Sequence, residues 1–93
     1  MIERDADRLF VTAPLLMANA RALLDAGRAA FAPGEQIVDF SRVGEADSSA
    51  LAVMFGWLRS AQAARASIRF AHIPAGVLSL AELYGVTELL PLA

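Results

Sequence analysis

The chain reads as an α/β domain, one mixed sheet carrying about three helices, and three features of the sequence lead to that class. Its 93 residues suffice for one core and not for two, so residues 1–93 are expected to form a single domain. Apolar residues make up 57% of the chain, which more than supplies a core of that size. Short β-branched runs alternate with longer runs of three-and-four apolar spacing, the pattern of strands joined by helical crossovers.

Met1–Arg4 and Arg8–Thr12 are β-prone and flank Asp5-Ala6-Asp7, whose carboxylates suit a hairpin turn. Thr12 and Pro14 suit a helix start, and from Leu15 to Ala30 a helix is expected to align Leu16, Ala20, Leu23, Leu24, Gly27 and Phe31 on one face. Ala32-Pro33-Gly34 ends it, because Pro lacks the amide donor and disfavours helix at the residue before it. Gln36–Phe40, β-branched at its centre, predicts a central strand, and Ser41–Ala46 the loop after it. Asp47-Ser48-Ser49 carry three capping oxygens in a row and open a second helix that runs to about Arg65. Ser67–Ala71 alternates with period two and predicts a strand closed by His72-Ile73-Pro74. Gly76–Tyr84 predicts a third helix with Val77, Leu80, Ala81 and Tyr84 inward and Gly85 as its C-cap; Glu88–Leu92 is a last short strand or a packed tail. Two strand–helix–strand units imply parallel neighbours in the sheet.

Composition narrows the function. The eight cations are all Arg, against ten carboxylates, and a net charge of −2 argues against nucleic acid or a polybasic membrane anchor as the main partner. With no Cys there is no thiolate nucleophile, disulfide or Cys-ligated metal, and the single His72 cannot build a His-rich metal site; no cofactor is expected. The first eight residues carry both charge signs and lack the apolar stretch of a secretory signal, so a cytoplasmic chain is expected. The longest apolar run, Ala50–Leu58, has nine residues where a spanning helix needs roughly 20, so membrane association would go through a partner.

The segment from Val43 to Leu51 holds most of the functional signal, since it follows a strand and opens a helix, where open α/β sheets bind ligands. Free amides at that helix start favour an anion, or a phosphate carried by Ser48 or Ser49. The structural alternative is that Asp47, Ser48 and Ser49 only cap the helix. Gly44 stands alone with no phosphate-loop pattern around it, which excludes ATP hydrolysis of that kind. Glu45 and Asp47 read better as solvated loop carboxylates than as a proton-sharing pair, and nothing brings His72 to either Ser as a base. No catalytic residue is expected.

On the second helix Leu51, Met54, Phe55, Leu58 and Gln62 form one stripe, while Ala50, Val53, Trp57 and Ala64 form another about 120° away. Both cannot face one sheet, and Trp57 beside Val53, rimmed by Arg59 and Ser60, has the composition of a protein–protein hot spot. The alternative packs Trp57 against the first or third helix.

Ile37-Val38-Asp39-Phe40, the Ser41-Arg42-Val43 loop, Asp47-Ser48-Ser49-Ala50-Leu51 and Trp57-Leu58 together resemble the STAS domain family over nearly the whole chain. Val11–Met17 resembles the G-P-L-T turn of the members belonging to the Mla (maintenance of lipid asymmetry) phospholipid transporter, departing from it at Ala13 and Leu16. The resemblance implies a non-catalytic cytoplasmic accessory subunit that binds and regulates an ABC transporter ATPase, held at the inner membrane through the transporter and its permease. Asp47, Ser48 and Ser49 would then meet the partner together with Val53 and Trp57. It also implies an alternative, an anti-sigma-factor antagonist in which Ser48 is phosphorylated; Ala50 stands where that group usually has Gly. A homodimer formed in isolation through Val53 and Trp57, and a small-ligand binder at the strand ends, are the remaining expectations.

Overall fold

A hairpin opens the chain. β1 (Ile2–Asp5) runs antiparallel to β2 (Arg8–Val11), with Ile2 opposite Val11 and Asp5 opposite Arg8. The computed structural model, which describes Met1–Ala93, turns the chain between them with Ala6 at φ 57°. That left-handed conformation costs a residue bearing a Cβ.

β2 pairs parallel with β3 (Gly34–Asp39), Leu9 beside Val38, and β3 pairs parallel with β4 (Ala66–Ala71), Val38 beside Phe70. The sheet order is β1-β2-β3-β4, mixed as the sequence predicts. Parallel neighbours need crossovers, and α1 (Ala20–Ala30) and α2 (Ser49–Ala63) provide them, with α3 (Ala75–Leu83) following β4. Period-two alternation buries Leu9, Val11, Val38, Phe40, Ile68 and Phe70 in the core shared with the helices. The same alternation turns Glu3, Arg8, Phe10, Ile37 and Arg69 to the opposite face. Gln36, 4% exposed, ties α1 to β3: its side chain exchanges hydrogen bonds with the backbone of Ala32, at 2.5 Å to the carbonyl and 3.2 Å from the amide. No helix is long and apolar enough to cross a membrane.

The first helix starts later than its periodicity predicts. Leu15 is committed to an isolated parallel bridge with Ala46, so the chain stays extended through Leu16, makes one 3-10 turn at Met17–Asn19 and only then enters α1. At the other end Tyr84, expected on the inner face of the third helix, is 59% exposed, because α3 ends at Leu83 and Gly85, at φ 68°, turns the chain away. Glu88–Leu92 divides between a 3-10 turn at Thr87–Leu89 and a tail that bridges to β4, with Leu92 beside Phe70.

α2 corrects the largest expectation. Val53 is 1% exposed and Trp57 is fully buried, so neither is on the surface where a partner or a second copy could meet it. The other stripe is buried as well at Leu51 and Met54, because α2 touches the sheet along one side and α1 along the next. The Trp57 indole donates its Nε1–H to the Leu23 carbonyl of α1 at 2.8 Å. Its ring stacks on Phe40 at 6.1 Å between centroids and takes the edge of Phe31 at 6.4 Å. Two glycines let the helices come this close: a Cβ on Gly27 would overlap the indole, and one on Gly56 would overlap Leu24. The alternative in which Trp57 packs against the first helix is therefore the one realised.

Candidate functional site

With Val53 and Trp57 inside, the outward line of α2 is Ser48, Ala52, Phe55 and Arg59, spaced four, three and four along the helix. Ser48, Ala52 and Arg59 are exposed and Phe55 is half-buried. Ser48 precedes the first helical residue at φ −63°, ψ −18°, and its hydroxyl caps no amide. Asp47 does the capping. Its Oδ1 accepts the Ser49 amide at 2.9 Å and the Ser49 hydroxyl at 2.5 Å, and its backbone carbonyl accepts the Ala50 amide at 3.1 Å. Ser49 is thus 7% exposed with its hydroxyl engaged, and of the two adjacent serines only Ser48 presents an oxygen to a partner. The inclusion of Ser49 among the contact residues is corrected for that reason.

The same Asp47 joins two loops. Its Oδ2 accepts the Met17 amide at 2.9 Å, its own amide donates to the Leu15 carbonyl at 2.9 Å, and the Leu15 amide donates to the Glu45 carbonyl at 2.9 Å. These bonds hold the chain before α1 against the chain before α2 and set Met17, 69% exposed, on the same ledge as Ser48. The Ser49 hydroxyl foremost, then the Met17 and Ser49 amides, hold the Asp47 carboxyl below its ordinary value. An ionised Asp47 beside an exposed Glu45 is not a proton-sharing pair. With the Ser49 and Ala50 amides already engaged by Asp47, the helix start offers less to a free anion than the sequence suggests.

His72 lies apart from this ledge, at φ 56° just past β4, with Nε2 3.9 Å from Asp39 Oδ2. Asp39, the last residue of β3, is a buried carboxylate that sequence reasoning did not single out. The signal was available as an acid inside a β-branched strand. Ala52 and Phe55 escape a helical wheel that assumes one burying surface where the fold supplies two, and Met17 joins the ledge through its backbone amide, which leaves no mark in the sequence. No three acidic or His side chains converge as a metal site. The shallow grooves of the surface lie elsewhere, one over Ile37 between Glu35 and Arg69 and one beside Ile73, Leu78 and Leu92.

Comparison with known proteins agrees with this architecture. A family described as "Mlab, STAS domain" matches residues 2–91. No curated protein sequence matches the chain. Among solved structures, a Thermotoga maritima protein assigned as an anti-sigma factor antagonist superposes with a TM-score of 0.72 at 15% identity, over 99% of this chain and 83% of that one. That likeness is one of fold, and it extends to the mixed four-stranded sheet with three helices described above. On the family match across 2–91, the chain belongs to the STAS domain family.

Proposed function

We propose that this domain is a non-catalytic accessory subunit that binds and regulates the ATPase of an Mla-type phospholipid ABC transporter, in the cytoplasm and at the inner membrane only through that complex. The Mlab description of the matched family supports the transporter reading. The observation that carries it is the ledge itself. Ser48, an unengaged hydroxyl, stands at the head of an exposed line continued by Ala52 and Phe55, beside Met17 and braced by Asp47. A polar atom next to a half-buried aromatic and an exposed Met is a composition suited to protein contact. Regulation then requires only that the bound domain prefer one conformation of the ATPase, since differential affinity is what shifts an equilibrium.

The test is affinity capture of the tagged chain from native membranes, with wild type beside Ser48→Asp and Phe55→Ala. Wild type is expected to recover an ABC ATPase with its permease, and Ser48→Asp to lose both while melting within a few degrees of wild type. Capture that is unaffected by either substitution would count against the ledge as the interface. Recovery of an anti-sigma factor with kinase activity would count against the transporter.

A second reading has its own observation. Ser48 is exposed at a helix start, whereas its neighbour Ser49 is buried and bonded, so Ser48 is the one of the two that a kinase could reach. Phosphate there adds roughly −1.5 to −2 charges next to Asp47 and Glu45 and would oppose closure of an interface. Intact-mass analysis of the chain from its native host separates the two readings. A substantial phosphorylated fraction favours the anti-sigma-factor antagonist, and an unmodified chain favours the transporter subunit.

A further inference from the structure

The loop between β3 and α2, which delivers Ser48, is held at both ends by a carboxylate. Asp47 holds its far end through the bonds to Met17 and Ser49. Asp39 holds its start, and the side chain of Asp39 is only 4% exposed. Asp39 Oδ1 accepts the Ser41 amide at 2.7 Å, while Oδ2 accepts Arg8 Nη1 of β2 at 2.5 Å and faces His72 Nε2 at 3.9 Å. Burying a carboxylate is costly unless it is paired and hydrogen-bonded, and a turn after a strand needs only a solvated side chain. The burial of this carboxylate against a half-buried Arg8 is accounted for by what it orients.

We propose that Asp39 is a positioning residue for the Ser48 ledge: anchored by Arg8, it fixes Ser41 and with it the path of the chain from β3 to α2. The next residue adds a second anchor, because Arg42 lies over the Phe10 ring at 4.0 Å and meets Glu3 Oε2 at 2.9 Å. Ser41 and Arg42 form the turn itself, closed by the Val43 amide donating to the Phe40 carbonyl at 3.0 Å. The course of residues 41–43 is therefore set by β1, β2 and β3 before the chain reaches Gly44, and residues 45–47 are then bonded to Leu15 and Met17. The effect on partner binding rests on the transporter reading; the effect on the loop does not.

The experiment uses the full ¹⁵N-labelled chain as wild type, Asp39→Ala, Asp39→Asn and Arg8→Gln. It measures amide exchange residue by residue and, separately, capture of the ABC ATPase. Asp39→Ala is expected to raise exchange at Ser41 and at the next bonded amide of the loop, Val43, by roughly tenfold or more relative to Ile37 and Val38, the scale of one charge-assisted hydrogen bond, and to weaken capture. Asp39→Asn keeps an oxygen for the Ser41 amide and is expected to restore much of the loop's protection. Arg8→Gln is expected to loosen the loop less than Asp39→Ala does. An increase spread evenly over β3 and α2, an unchanged Ser41, or no rescue by Asn would overturn the positioning role. Failure of wild type to capture any ATPase would instead refute the transporter reading, and the exchange pattern would still decide the role of Asp39.

Discussion

Asp39 and Asp47 remain ionised in the folded chain where an ordinary carboxylate begins to take up protons, and the causes differ. Burial pushes Asp39 up, but the Ser41 hydroxyl and amide, the Arg8 guanidinium and His72 together outweigh it and leave the carboxyl below 3.8. Asp47 is lowered from 3.8 chiefly by the Ser49 hydroxyl. Since both values are lower folded than unfolded, the unfolded chain binds protons first as the solution is acidified. The stabilisation is therefore complete above the ordinary carboxylate range and is lost as pH falls through the folded-state values. Urea midpoints are expected to be flat near neutrality and to fall below about pH 4, with a shallower fall in Asp39→Asn; an identical acid slope in that variant would rule out Asp39 as a contributor. Gly27 offers a second test. Replacing a helical Gly by Ala ordinarily stabilises by about 0.5–1 kcal/mol, but here the new Cβ would overlap the Trp57 indole. Gly27→Ala is thus expected to destabilise by about 1–3 kcal/mol in chemical denaturation, the usual cost of overpacking.

The contact of α1 with α2 determines the role of Trp57. An indole buried between Phe31 and Phe40 and bonded to Leu23 is a core residue, and Trp57→Ala should cost about 3–5 kcal/mol, a large part of a small domain's stability. Thermal unfolding of the isolated chain should show that loss directly, with Trp57→Phe losing less; a variant that melts like wild type would return Trp57 to the surface. The strands and the three helices, in their succession along the chain, were legible in the sequence because each depends on local periodicity and on Pro, Gly and capping residues at the boundaries. The burial of Trp57 was not, because it depends on Gly27 and Gly56 meeting Trp57 and Leu24 across two helices, which no single helical wheel contains. The late start of α1 was hidden for a similar reason: Leu15 fits a helical pattern but pairs with Ala46, thirty-one residues away in the chain. At the candidate site, Ser48 and Asp47 could be read from their place after a strand. Their division of labour, one exposed and one holding two loops, needed the Met17 amide, which carries no side-chain signal.

Across the whole molecule, the open sheet has two edges, and the chain protects them by different means. The outer edge of β1 carries Glu3, Arg4 and Asp5, all exposed, and charges on an edge strand oppose pairing with another chain. β4 has Ser67 and Arg69 exposed on one face and Ile68 and Phe70 buried on the other, so its edge is apolar on the core side. The tail covers it there: the Phe70 amide donates to the Pro91 carbonyl at 2.8 Å and the Ala93 amide donates to the Phe70 carbonyl at 2.9 Å. Pro91 adds protection of its own, since it has no amide to extend the ladder. Ending the chain after Leu90 removes both bonds and uncovers Phe70, which should lower stability by about 1–3 kcal/mol and leave an edge open to another strand. Sedimentation velocity over a range of concentrations is the measurement, and the shortened chain is expected to self-associate where the intact one does less. If instead it stays as monomeric and as stable as the intact chain, the tail is not what guards β4, and protection of that edge would have to come from Arg69 and its contact with Glu35 at 3.9 Å.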